Sequence, residues 1–309
     1  MLNAGDAEAF LVARFGRRVS EVSAVGQGAW SRAYGFRRDG AEYIVRFSAL
    51  DEDFHKDRIA ARYSSPDLPI PAVVEIGETQ DGFFAISKRA SGEFLDDLSE
   101  VEMGKLLPSL FAALDAARRV DLSSSTGYGS WSADGNAPHA SWRAALLTIA
   151  EDPPGERTHG WRGRLIASPT GSGPFEKAFT RLDALIPDFV EDRHLIHSDL
   201  LNFNVLVADS QISAVIDWGC AMYGDFLYDL AWFEFWSPWY CAWRGIDFRS
   251  EAIRHYSSIG LSVPRFEERL TCCLIHIGLA AQAYNAFKER WDALEETARR
   301  TLEVARASP

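Results

Sequence analysis

The chain has 309 residues, a formal net charge of −12 and an apolar share of 47%, enough for a sizeable core and more than a typical single domain needs. Its acidity excludes a nucleic-acid partner held through surplus Lys and Arg and would suit a cationic ligand, although acidity also simply aids solubility. No run approaches the ~18 apolar residues of a membrane span, so no membrane partner is expected.

The start, MLNAGDAEAFLVARFG, lacks the basic-then-apolar order of an export signal, and Cys220, Cys241, Cys272 and Cys273 show no CxxC spacing. A monomeric, cytoplasmic protein with reduced thiols is the expectation.

A helix over Asp6 to Phe15 opens the chain. VSAVGQGAWSRAYGFRRDGAEYIVRFS then reads as three strands joined by a glycine-containing turn and an Asp39-Gly40 hairpin. A helix from about Asp53 to Tyr63 precedes two further strands around Gln80-Asp81-Gly82, predicting a five-strand sheet with one helix. The polar segment Arg89 to Glu93 would link this unit, residues 1–90, to a second, residues 91–309. That second part reads as helical near Glu100–Arg119, Ser141–Glu151, Pro174–Leu185, Asp225–Trp236 and from Pro264 to the C-terminal region. The Ser/Gly-rich stretch Asp121 to Pro138 is either a surface loop or one that shapes a substrate site, with the surface loop favoured.

One segment interrupts the helices. In HLIHSDLLNFNVLVADSQISAVIDWG, short β-branched runs (His194–Ile196, Val205–Val207, Ala214–Ile216) alternate with polar residues, which therefore fall on loops at strand ends. Phosphoryl transfer to an alcohol requires a carboxylate to take the hydroxyl proton and oxygen ligands for Mg²⁺ on the phosphates. Asp199, Asn204 and Asp217 match the protein-kinase order of base, amide ligand five residues on, and second carboxylate. Singly, each reads as a turn cap. Jointly, with the strand pattern around them, they read as a catalytic set with Asp199 as base and Asn204 and Asp217 as Mg²⁺ ligands. His197 is expected to hold this loop by hydrogen bonds, Asp225 to cap a helix and Asp229 to fix the loop.

HSDLLNFN, VIDWGCAMYGD and YDLAWF resemble the signature of the aminoglycoside phosphotransferases, and GAWSRAYGF, EYIVRFS, DFHKDRIAARY, LPIPAVVEIGE, ISKRASGE and FWSPWYCAW are similar to the hygromycin B branch of that family. The resemblance spans about residues 10 to 285. It implies an α+β, protein-kinase-like fold: a small antiparallel-sheet lobe over the nucleotide and a mainly helical lobe. It also implies transfer of the terminal phosphate of ATP or GTP to a hydroxyl of a cationic aminocyclitol, hygromycin B above all. The third strand offers Arg46 where protein kinases place Lys, and the following helix lacks the partner Glu, leaving the shorter Asp57. Gly28 and Ser31, in the turn VGQGAWS, would cover the phosphates, and Ser87, Arg89 and Ala90 occupy the place where backbone groups hold the purine.

An acceptor rich in ammonium groups favours carboxylates and aromatic faces. Asp121, Asn202, Trp236 and Trp239 lie in segments covered by the resemblance, while Glu234 is a candidate by charge alone. A kinase of another small alcohol and a nucleotide-binding pseudoenzyme are the competing readings.

Overall fold

The computed structural model describes residues 3–28, 30–186 and 192–306. Helix α1 (Ala4–Phe15) starts at a capping box in which Asn3 and Asp6 each accept the other's backbone N–H. Strands β1 (Val19–Gln27), β2 (Ser31–Arg38) and β3 (Ala41–Ser48) follow, then helix α2 (Glu52–Ala60) and strands β4 (Val73–Thr79) and β5 (Gly82–Lys88). They form one antiparallel sheet in the order β1-β2-β3-β5-β4, the five strands and one helix that the sequence predicts. Tyr34, Phe36, Val45, Phe47, Phe84 and Ile86 pack beneath α1 as a small separate core.

The link after β5 is short and tightly seated. At Gly92, φ is +146° and an added Cβ would lie 2.6 Å from the Val207 carbonyl oxygen, so only glycine passes there. Strand β6 (Glu93–Phe94) follows directly, then α3 (Glu100–Arg118), β7 (Gly129–Ser130), α4 (Trp142–Leu147), α5 (Trp161–Ala167) and α6 (Gly173–Leu185). Strands β8 (His194–Ile196), β9 (Val205–Ala208), β10 (Gln211–Val215) and β11 (Met222–Gly224) surround the polar motif. Helices α7 (Leu227–Trp236), α8 (Phe248–Ser258), α9 (Phe266–Phe287) and α10 (Trp291–Arg306) close the chain. Two three-stranded sheets, β10-β9-β6 and β7-β11-β8, lie side by side in this second part.

The structure departs from the sequence reading in several places. Residues 121–138 run along the surface but are pinned at several points: β7 joins the sheet of β8, Trp131 is fully buried, and Arg193 donates to the carbonyls of Leu122, Ser125 and Gly127. The final helix is two helices, divided where Glu289 takes a left-handed φ of 55°. Helices α5 and α8 were absent from the sequence reading. The large core extends across the expected boundary at residue 90 and takes in Ile59, Ala60, Leu68 and Ile70.

Helix α9 is long and apolar enough by composition to cross a membrane, contrary to the sequence expectation. Yet 78% of its most apolar window is buried against the rest of the chain, as in a core helix. Its His276 is wholly enclosed, with Nδ1 2.8 Å from the Tyr228 hydroxyl, and burial pushes its imidazole down to about 4. A histidine held neutral this way supports folding fully above its unfolded pKa of about 6.5 and loses that contribution as pH falls towards 4. Urea denaturation at pH 7 and pH 5 should therefore show His276→Gln losing about 2 kcal/mol less than the parent chain on acidification.

Candidate active site

Strand β8 delivers the chain into a loop whose backbone is unusual: Ser198, Asn202 and Phe203 all have φ between 63° and 66°. Such left-handed conformations are unfavourable for residues with a side chain and persist only where the surroundings enforce them. Here carboxylates do so. Asp229, buried on α7, accepts the N–H groups of His197 at 2.9 Å and Ser198 at 2.8 Å. Asp96, just after β6, accepts those of Asn202 and Phe203, each at 2.9 Å.

His197 is fully buried. Its Nε2 lies 2.9 Å from the Ile216 carbonyl, and its Nδ1 accepts the Asp199 N–H at 3.2 Å, which fixes the neutral tautomer protonated on Nε2. Burial holds its pKa down to about 4. His197 and Asp229 thus both brace the loop. Asp225 acts one layer further out: it is paired with Arg269 of α9 and accepts the Leu227 N–H at 3.1 Å at the start of α7.

Asp199 projects from this frame. The Asn202 amide donates to one of its carboxylate oxygens at 2.7 Å, and the Asn204 amide donates to the other at 3.2 Å and to its backbone carbonyl at 2.8 Å. Burial raises the Asp199 carboxyl to about 7, the negative charge of Asp217 adds to the effect, and the two amides partly oppose it. With its nitrogen committed to Asp199, Asn204 has its side-chain oxygen left for another ligand.

Asp217 stands at the end of β10, also left-handed at φ 62°, with its side chain half exposed. It leads into the tight turn Trp218–Cys220. Arg46 of β3 comes within 3.6 Å of its carboxylate and forms a close ion pair with Asp57 of α2. Asp57 is buried, and its other oxygen accepts the Trp218 N–H at 2.8 Å. The shorter Asp57 therefore does meet Arg46.

One residue earlier, Lys56 is 97% enclosed: 3% of its surface remains, and its ammonium donates to the Gly219 carbonyl at 2.8 Å and the Ser130 hydroxyl at 3.2 Å. Burial lowers its pKa. Asp53, also on α2, takes a two-bond fork from Arg157 at 2.7 and 3.0 Å. Sequence reading missed Lys56, Asp53, Arg157, Asp96 and Tyr240, because their partners lie far along the chain.

In the turn between β1 and β2, Gly28 N–H donates to the Ser31 carbonyl at 3.0 Å, while Ala29 lies outside the described residues. Trp30 at its tip has the Lys288 ammonium 4.7 Å and the Arg157 guanidinium 5.7 Å from its ring, so the turn meets the end of α9 and the 151–160 segment. Ser87 lies within β5, paired with Ile44 and Val73. Arg89 N–H donates to the Glu42 carbonyl at 3.2 Å, and Ala90 follows in the link.

The acceptor candidates separate. Asn202 is at the centre, bonded to Asp199. Trp236 and Trp239 cluster with centroids 5.2 Å apart; the Trp236 indole N–H is buried without a partner among the described residues, and that of Trp239 donates to Glu296 at 3.1 Å. Glu234 is engaged within the fold: Arg249 meets both its oxygens, at 2.5 and 3.2 Å, tying α7 to α8. Asp121 is exposed and turns back to accept the Ser123 N–H at 2.9 Å, as a turn cap does.

The donor set fits magnesium. Among the described residues no three His, Cys, Asp or Glu side chains form a cage, but Asn204 and Asp217 offer hard oxygens, and Mg²⁺ retains waters and phosphate oxygens for its remaining positions.

The model of a phosphotransferase enzyme family matches residues 21–267. A hygromycin-B 4-O-kinase of Escherichia coli is 36% identical over 240 residues, 77% of this chain and 68% of the relative. The crystal structure of aminoglycoside phosphotransferase APH(4)-Ia superposes with a TM-score of 0.86 at 30% identity, covering 99% of this chain and all of that one. A thermostable form in ternary complex with AMP-PNP and hygromycin B gives 0.83 at 31% identity over 97% of each chain.

Removing the Asp57 carboxylate would leave Arg46 in its pocket without its close counter-charge and the Trp218 N–H unpaired. Asp57→Ala should lower stability by about 3 kcal/mol, measured by urea denaturation, and a loss under about 1 kcal/mol would contradict the bracing role.

Proposed function

The chain belongs to the phosphotransferase enzyme family, and from that premise we propose that it transfers the terminal phosphate of ATP to a hydroxyl of hygromycin B or a closely related aminocyclitol. One observation carries the reading. Asp199 presents a carboxylate aimed by two amides, those of Asn202 at 2.7 Å and Asn204 at 3.2 Å, at the end of a braced loop with Asp217 nearby, the placement a general base for a hydroxyl needs.

In the proposed step the acceptor hydroxyl lies against Asp199, which takes its proton as the oxygen bonds to the terminal phosphorus. The bond from that phosphorus to the bridging oxygen breaks, and ADP departs with the bond's electrons. Asn202 and Asn204 keep the carboxylate aimed. Asn204 and Asp217 are the residues that would hold magnesium, whose contribution is to neutralise charge on the phosphates. Arg46 adds a fixed positive charge beside Asp217, and its close ion pair with Asp57 keeps it there.

In this reading residues 1 to about 90 cover the nucleotide and the remainder carries the catalytic loop. The Gly28–Ser31 turn closes over the phosphates, with Trp30 as its contact to the second lobe. The link Ser87 to Ala90 offers backbone groups to the purine. Trp236 and Trp239 supply aromatic faces for the cationic acceptor, consistent with the acidic net charge.

Mass spectrometry of hygromycin B after incubation with the protein and Mg-ATP should show the addition of one phosphoryl group; an unmodified antibiotic beside consumed nucleotide would reject it as acceptor. Asp199→Asn should lower turnover by about 10²- to 10⁴-fold while Mg-ATP still raises the melting temperature. Turnover equal to the parent's would remove the assigned base.

A further inference from the structure

The loop that carries Asp199 is held on its outer side by one residue with no part in the chemistry above. We propose that Asp96 is a positioning residue for the transfer: it sets Asn202, and through the Asn202 amide it aims the Asp199 carboxylate at the acceptor.

Asp96 uses both oxygens on consecutive backbone N–H groups, those of Asn202 and Phe203, each at 2.9 Å. These two residues are left-handed, at φ 65° and 66°, so the carboxylate stabilises a backbone shape the chain would otherwise relax out of. That shape brings the Asn202 side chain to Asp199, where its amide donates to the carboxylate at 2.7 Å. The Phe203 ring is turned outward, half exposed and edge-on to Phe94 at 5.3 Å.

Asp96 is itself fixed from two sides. It lies two residues beyond β6, which pairs with β9, the strand that leaves the catalytic loop after Asn204. The Tyr240 hydroxyl also donates to it at 2.7 Å, and the Tyr240 ring stacks on buried Trp243 at 4.2 Å with the planes 5° apart. Tyr240 follows Trp239 directly. A continuous chain of hydrogen bonds thus runs from the segment carrying an aromatic acceptor candidate, through Asp96 and Asn202, to Asp199.

This inference rests on Asp199 being the base, so Asp199→Asn is run alongside. Steady-state kinetics with hygromycin B and Mg-ATP, and thermal melts, would be measured for Asp96→Asn, Asn202→Ala, the double variant and Tyr240→Phe. Asp96→Asn should lower kcat by about 10- to 100-fold, as small misplacements of reacting groups do, with the nucleotide KM within about twofold. The double variant should be no slower than the slower single variant, because both changes break the same link. Tyr240→Phe keeps the Asp96 carboxylate and both N–H bonds. It should lower kcat by about 3- to 10-fold with an unchanged melting temperature, and it decides the question if Asp96→Asn does not fold. The proposal is overturned by fold-losses that multiply in the double variant, by a loss confined to the nucleotide KM, or by a parental kcat in both Asp96→Asn and Tyr240→Phe. Activity retained by Asp199→Asn would instead overturn the assignment of the base.

Discussion

The site depends on carboxylates accepting backbone N–H groups from loops that would not otherwise hold their shape. Asp229 accepts from His197 and Ser198, Asp96 from Asn202 and Phe203, and Asp57 from Trp218. Four residues around the site, Ser198, Asn202, Phe203 and Asp217, are left-handed without being glycine. Each such residue costs on the order of 1–3 kcal/mol, and a hydrogen bond to a charged group returns about 1.5–3 kcal/mol, so the magnitudes balance only because the carboxylates are present. Asp199 and its neighbours stand where they do because other acids hold the backbone around them.

The same economy of contacts joins the two parts of the chain. Helix α2 belongs to the first unit by sequence, yet Ile59 and Ala60 enter the large core, and Asp53, Lys56 and Asp57 bond to Arg157, the Gly219 carbonyl and the Trp218 N–H of the second. Lys56 illustrates what this demands. A buried ammonium is costly unless hydrogen-bonded, and its two partners, Ser130 and Gly219, come from the inserted segment and from the turn after Asp217. The insertion over 121–138 is therefore tied to the same turn that follows one of the proposed magnesium ligands.

Much of this was legible in the sequence wherever the signal is local. The five strands of the first sheet, the strands flanking His197 to Asp217 and the spacing of Asp199, Asn204 and Asp217 all lie within short windows of alternating or β-branched residues. The braces did not show, because the partners are remote: Asn202 and Asp96 are 106 positions apart, Trp218 and Asp57 161, Lys56 and Gly219 163. The partner of Glu234 was likewise hidden: Arg249, 15 positions later, closes on its carboxylate from the next helix. Helix α5 is only seven residues and contains Gly163, and the break between α9 and α10 falls at Lys288–Arg290 with neither glycine nor proline to mark it. Tertiary contacts, not propensity, settle such places.

Asp53, Lys56 and Asp57 are spaced three and four apart, so a single stripe of one short helix holds Arg46, the turn behind Asp217 and the segment that reaches Trp30. Tilting that helix by a few degrees would disturb all of these at once. The helix is thus a shared support whose position fixes three separate parts of the molecule together.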